Sequence, residues 1–261
     1  MNLGLEGKKA IVTAASRGLG RAVALRLAEE GVELAICARG TESLQRMEEE
    51  IHRSGGRVFS APADVSDEMS IKDFVAVAAE TLGAVDILVN NAGGPKPGRF
   101  ADLSNPDWVG AFNLTFMSVV RLCQEVVPHM RKRGSGRIIN LSSLSVKQPL
   151  EGLISSNSVR LAVAGLAKTL ADELAAENIT VNTVCPGFTL TDRLREYMGS
   201  IAKRENRSTD EVMKSFAAKS PMRRLAEPQD IADLVVFLAS ERASYLTGLC
   251  IPVDGGTSRT Y

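Results

Sequence analysis

Apolar positions along this 261-residue chain keep two alternating rhythms. Short β-branched runs, apolar on both faces, read as strands of a covered parallel sheet: KKAIVTAA (8–15), VELAICAR (32–39), GRVFSAPADV (56–65), VDILVNNAG (85–93), GRIINLSS (136–143), ITVNTVCPG (179–187) and LCIPVDGG (249–256). Amphipathic helical patterns lie between them, over 18–30, 41–53, 67–82, 105–133, 155–177 and 228–240. Strand, helix, strand from end to end predicts a doubly wound, Rossmann-like α/β fold: one domain with a parallel sheet of about seven strands. Residues 189–219 break the alternation. They are polar and helical in places, and are expected to form a flap on the substrate side.

Composition narrows the class. With 44% hydrophobic residues the chain can bury a large core. Lys plus Arg equals Asp plus Glu at 31 each, so charge points to neither nucleic acid nor an anionic membrane. No run approaches the roughly 18 apolar residues of a membrane span, and the N-terminal residues lack a signal-peptide pattern, so a cytoplasmic protein is expected. Cys37, Cys123, Cys185 and Cys250 are far apart in apolar runs and read as reduced structural thiols.

Directly after the first strand, TAASRGLG leads into a helix. Gly18 and Gly20 permit close approach of backbone to a ligand, and a helix N-terminus behind them offers free amides to a pyrophosphate.

From end to end the chain resembles the short-chain dehydrogenase/reductase family. TAASRGLG is similar to its TGxxxGxG turn, with Ala14 in place of the first glycine; Asp64-Val65 to its adenine contact; Asn90-Asn91-Ala92-Gly93 to its NNAG strand end. Asn113 matches its helix-borne asparagine, Pro186-Gly187 with Thr191 its PGxxxT segment, and 223–256 its closing helix and strand. The resemblance implies a nicotinamide coenzyme held by Thr13, Ser16, Arg17, Gly18, Leu19, Gly20, Arg39, Asp64, Val65, Asn91, Ala92, Gly93, Arg160, Pro186, Gly187 and Thr191. The second strand ends Ile36-Cys37-Ala38-Arg39 without the carboxylate that would accept a ribose 2'-hydroxyl, and Arg17 and Arg39 suit a 2'-phosphate, so NADP is expected over NAD.

In the family a serine after the fifth strand polarises the substrate carbonyl, and a YxxxK pair on the next helix supplies the acid and its tuning charge. Aligning Gly165-Leu166 with the AxGL run that follows the pair puts Ser156 at the tyrosine and Arg160 at the lysine, with Ser143 as the serine. Both members of the pair are therefore substituted. A serine hydroxyl is a poor acid without an adjacent base, while an arginine stays charged and can hold ribose hydroxyls, a developing alkoxide, or a substrate carboxylate or phosphate. Tyr197, in the flap, is the one tyrosine placed to swing in; Tyr245 falls in the closing motif and Tyr261 is the last residue.

Lys96, Lys147 and Glu151 are expected at the pocket rim as solvated side chains, and His52 and His129 lie away from every motif, which disfavours a Ser-His-Asp hydrolase. Two function classes follow. One is an NADP-dependent oxidoreductase acting on a ketone or secondary alcohol, 3-oxoacyl substrates included, with Ser143, Asn113, Ser156 and Arg160 at the reacting centre. The other is a dinucleotide-binding or regulatory protein of slow turnover. A homo-oligomer, dimer or tetramer, is expected through the long helices 105–133 and 155–177 and the final helix and strand, with a small carbonyl or alcohol as the other partner.

Overall fold

The computed structural model describes residues 2–260. Its strands are β1 (Lys9–Val12), β2 (Glu33–Ala38), β3 (Val58–Pro62), β4 (Ile87–Asn90), β5 (Gly136–Leu141), β6 (Ile179–Pro186) and β7 (Cys250–Val253). They form one parallel sheet of order β3-β2-β1-β4-β5-β6-β7, the doubly wound arrangement the pattern predicts. The order reverses between β1 and β4, which opens a crevice beyond their C-terminal ends.

The helices are α1 (Gly18–Glu29), α2 (Thr41–Arg53), α3 (Glu68–Leu82), α4 (Asn105–Phe112), α5 (Ser118–Arg133), α6 (Ile154–Leu174), α7 (Asp192–Glu205), α8 (Thr209–Ala217) and α9 (Pro228–Ala239). Helices α1, α2 and α9 cover one face of the sheet, burying Leu27, Met47 and Val235 against Val12 and Ile36. Helices α3, α5 and α6 cover the other, burying Phe74, Leu122 and Val163 against Ile11 and Leu88. Two covered faces explain why β1, β2, β4 and β5 carry no polar alternation.

Two expectations need adjustment. The edge strands β3 and β7 are only half-buried, because each has a neighbour on one side alone. The single helix expected over 105–133 carries a π-helical turn at Asn113–Met117 between α4 and α5. That turn inserts one extra residue and starts on Asn113, the asparagine singled out in the sequence.

The 189–219 excursion holds α7 and α8, which bury Met198, Val212 and Phe216 in a small core of their own. Among the described residues no helix is long and apolar enough to cross a membrane. Among the described residues no cluster of three or more His, Cys, Asp or Glu side chains could hold a metal ion.

Candidate active site

The loop after β1 is tied to the end of β4. Thr13 Oγ1 donates to the Asn91 carbonyl at 2.7 Å and accepts from the Asn91 amide at 2.9 Å, while Asn91 Nδ2 donates to the Ala14 carbonyl at 3.1 Å. A Cβ on Gly20 would collide with that carbonyl and that amide nitrogen, so this position admits no side chain. Gly18 has φ 58°, a conformation glycine adopts freely. Ala14 also lies in the left-handed region, at φ 47°, so the methyl that stands at the first glycine of the motif is strained. The N-terminus of α1 carries no side-chain cap, which leaves its first amides facing the crevice. Ser16 and Leu19 are half-buried on either side, Leu19 packing onto the core.

At the β2 end of the crevice Arg39 is exposed, with its guanidinium 3.9 Å from Asp64. Burial acts to raise the Asp64 pKa, but hydrogen bonds from the Ser66 amide and hydroxyl, at 2.9 and 2.7 Å, hold it below the ordinary aspartate value, with help from Arg39. A carboxylate absent from the end of β2 thus stands instead just past β3, beside Arg39. Val65 is buried beside it, and Arg17 is exposed at the mouth of α1. Ala92 packs against the core, and a Cβ on Gly93 would meet nothing within 4 Å.

At the β5 end, Ser143 is half-buried and extended, its Oγ accepting from the Ser145 amide at 3.2 Å. From α6, Ser156 and Arg160 reach the same region on one face, both buried. Arg160 Nε donates to Ser156 Oγ at 3.1 Å and Nη1 to the Leu141 carbonyl at 3.4 Å. Burial, then repulsion from Arg193, pushes the Arg160 pKa down to about 10, so the group is still charged at neutral pH. Thr115, Ser142 and Arg160 line a small cavity behind the serines, where Thr115 Oγ1 and Ser142 Oγ are buried without a partner. Asn113 is half-buried at the first residue of the π turn.

Beyond β6, a Cβ on Gly187 would press on the Asp254 backbone, which keeps the Pro186-Gly187 turn tight against the chain after β7. Thr191 caps α7, its Oγ1 accepting from the Leu194 amide at 3.3 Å.

Of the rim residues, Lys96 pairs with Asp107 at 2.9 Å and Glu151 with Arg99 at 3.0 Å. Tyr197 packs edge-on to Phe216 with its hydroxyl toward Gly152, Tyr245 is fully exposed, and Tyr261 lies outside the described residues. His52 sits on α2 and His129 on α5. All four cysteines are free thiols, yet Cys185 and Cys250 are not apart: their sulfurs stand 3.3 Å from one another across β6 and β7. Sequence reasoning missed Arg193. In the first turn of α7, it donates from Nη2 to the Pro95 carbonyl at 3.0 Å and lies against Gly94. No spacing rule links 193 to 94; the only signal is its place just after Thr191.

Comparison with known proteins agrees with this architecture. Residues 13–258 match the family model described as enoyl-(acyl carrier protein) reductase. The chain is 36% identical over 250 residues to the 3-oxoacyl-acyl-carrier-protein reductase FabG of Staphylococcus epidermidis, covering 95% of this chain and 98% of that one. It is 34% identical over 255 residues to the 7alpha-hydroxysteroid dehydrogenase of Escherichia coli, covering 98% and 96%. Among solved structures, L-sorbose reductase from Gluconobacter frateurii, complexed with NADPH and L-sorbose, superposes over 100% of both chains with a TM-score of 0.96 at 33% identity. A 7 alpha-hydroxysteroid dehydrogenase complexed with NADH gives 0.91 at 33%, over 100% of this chain and 98% of that one. Fold, motif order and relatives agree: the chain belongs to the short-chain dehydrogenase/reductase family of oxidoreductases, in the branch that resembles the 3-oxoacyl-acyl-carrier-protein reductases.

Proposed function

We propose that this protein is an NADP-dependent oxidoreductase that interconverts a ketone and a secondary alcohol, with Ser156 and Arg160 where the family has its tyrosine and lysine. One observation carries the reading: Gly20 admits no Cβ, Thr13 and Asn91 lock the loop beside it, and the uncapped amides of α1 open onto the same crevice. That cradle fits a pyrophosphate. Exposed Arg17 and Arg39 favour a 2'-phosphate over a bare ribose, and NADPH in the L-sorbose reductase complex agrees; the NADH of the hydroxysteroid dehydrogenase complex and Asp64 beside Arg39 weigh the other way.

The nicotinamide, when bound, supplies or accepts the hydride. The chain's own residues orient the substrate and manage the proton. Ser143 presents a hydroxyl to the substrate oxygen, and Asn113, at the first residue of the π turn, is a further polar group for the site. Ser156 Oγ accepts from Arg160, so its own proton is free to point into the cleft; the fixed positive charge of Arg160 favours oxyanion character nearby. Because a serine is a weak acid, Ser156 passes on a proton drawn from water and is not its source. The chain works as a single domain, with 189–219 as the flap over the substrate, and a 3-oxoacyl compound heads the substrate panel because of the FabG relatives.

A dinucleotide-binding protein of slow turnover is the second reading, favoured by the strained Ala14 at the first glycine position of the turn and by the serine where the family has its tyrosine. NADPH titration followed by turnover on a panel of ketones separates the two. The oxidoreductase reading expects measurable wild-type turnover and a loss of about tenfold or more in Arg160→Ala, the scale of one preorganised charge. Wild type inert on every ketone, with Ser156→Tyr plus Arg160→Lys restoring turnover, would establish the binding role.

A further inference from the structure

Arg160, from α6, lines the small cavity with Asn90, Asn91 and Ala92 at the end of β4, and Arg193, from α7, lies against Gly94 and Pro95 just beyond that strand end. Arg160 is buried, and its hydrogen bonds go to neutral groups, Ser156 Oγ and the Leu141 carbonyl. Arg193 spends one nitrogen on the Pro95 carbonyl and leaves the rest of its guanidinium against Gly94, one residue past the NNAG strand end. Among the described residues neither guanidinium pairs with a carboxylate, whereas Arg39, Lys96 and Arg99 do. The two are near enough to repel, and Arg17 at the mouth of α1 adds a third positive charge beside Arg193. Glu196, on α7 one turn beyond Arg193, offsets part of this from outside ion-pair distance.

A buried cation without a counterion, with a second cation nearby, is a costly arrangement unless the site is built to receive negative charge. We propose that Arg193 and Arg160 form a clamp for an oxyanion, with Arg193 as the residue that confers affinity for an acidic ligand. The oxyanion is either the carboxylate of an oxo-acid substrate or a phosphate of the coenzyme. Both present two or more oxygens to the planar donor fork of a guanidinium, and a lysine point charge would match them less well. The carboxylate arm rests on the carbonyl-reductase reading above; the clamp itself does not.

Isothermal titration of the full chain tests the clamp at fixed ionic strength, with NADPH and with malonate as a dicarboxylate probe, in wild type, Arg193→Gln and Arg193→Lys. Arg193→Gln is expected to weaken malonate at least about tenfold, with Arg193→Lys recovering part of the loss. If NADPH affinity is untouched by Arg193→Gln, the clamped group is a substrate carboxylate; if NADPH weakens by a similar factor, it is a coenzyme phosphate. If neither ligand changes beyond about twofold, or if wild type ignores malonate while NADPH affinity is indifferent to Arg193, the clamp is overturned. Should wild type take malonate in an Arg193-dependent way but bind no dinucleotide, the clamp stands and the coenzyme reading fails. Arg193 sits outside the buried cores, and equal melting temperatures of the three proteins identify any loss as local.

Discussion

Ala14 sits in the left-handed region at φ 47°, one residue from the Thr13–Asn91 lock, and its carbonyl is held by Asn91 Nδ2. A non-glycine residue there costs on the order of 1 kcal/mol, while a glycine gives the unfolded chain extra freedom worth about half as much or more. Ala14→Gly is therefore expected to raise stability by up to about 0.5 kcal/mol, a gain of about 1–2 °C in melting temperature for a chain of this size. A fall in melting temperature would mean that the methyl packs favourably and the strain argument is wrong. The same scale shows where sequence reasoning stopped. The glycine turn stood out in the sequence and the family resemblance pointed to Ser156 and Arg160, but the φ of Ala14, the bond from Arg160 to Ser156 Oγ, and the approach of Arg193 to Gly94 all depend on local geometry that separation in sequence does not give.

At the scale of elements, α4 enters through a capping box. Ser104 Oγ accepts from the Asp107 amide, Asp107 accepts from the Ser104 amide at 2.9 Å, and Lys96 reaches the same carboxylate. The Lys96 hydrogen bond, then those from Ser104, push the Asp107 pKa down to about 2. A carboxylate depressed in the folded state contributes stability that is fully present above its unfolded pKa of about 4 and is lost as pH falls through its folded value. Melting curves of wild type and Asp107→Asn should accordingly differ near pH 7 and converge as pH drops from about 4 to about 2; a gap that survives at the acid end would show that the carboxylate charge is not what matters. The helical rhythm of 105–133 was readable because apolar residues recur at helical spacing, yet the π turn within it was not. One inserted residue shifts the phase of that spacing by less than a turn and leaves no distinct residue type behind.

For the whole molecule, the doubly wound parallel sheet of seven strands followed from the alternation of runs, because right-handed crossovers leave few ways to wind such a sheet. Closeness across the sheet did not: Cys185 and Cys250 meet only because β6 and β7 are neighbours in register. Assembly belongs to this scale too. Val109 and Phe112 on α4 and Leu161 on α6 are exposed on the helices expected to pair subunits. Leu161→Glu should convert an oligomer to a smaller species in sedimentation at micromolar concentration; wild type that is already monomeric there would remove the pairing.

One feature of the sheet limits how copies can meet. The Gly187 amide donates to the Val253 carbonyl and the Thr183 amide to the Leu249 carbonyl, so odd-numbered residues of β7 face β6 and the backbone nitrogen of Pro252 faces outward. That nitrogen has no hydrogen to give. A foreign strand laid along this border finds a gap in the donor row midway, which discourages runaway cross-molecular sheet growth and leaves joining at this side of the molecule to side-chain contacts.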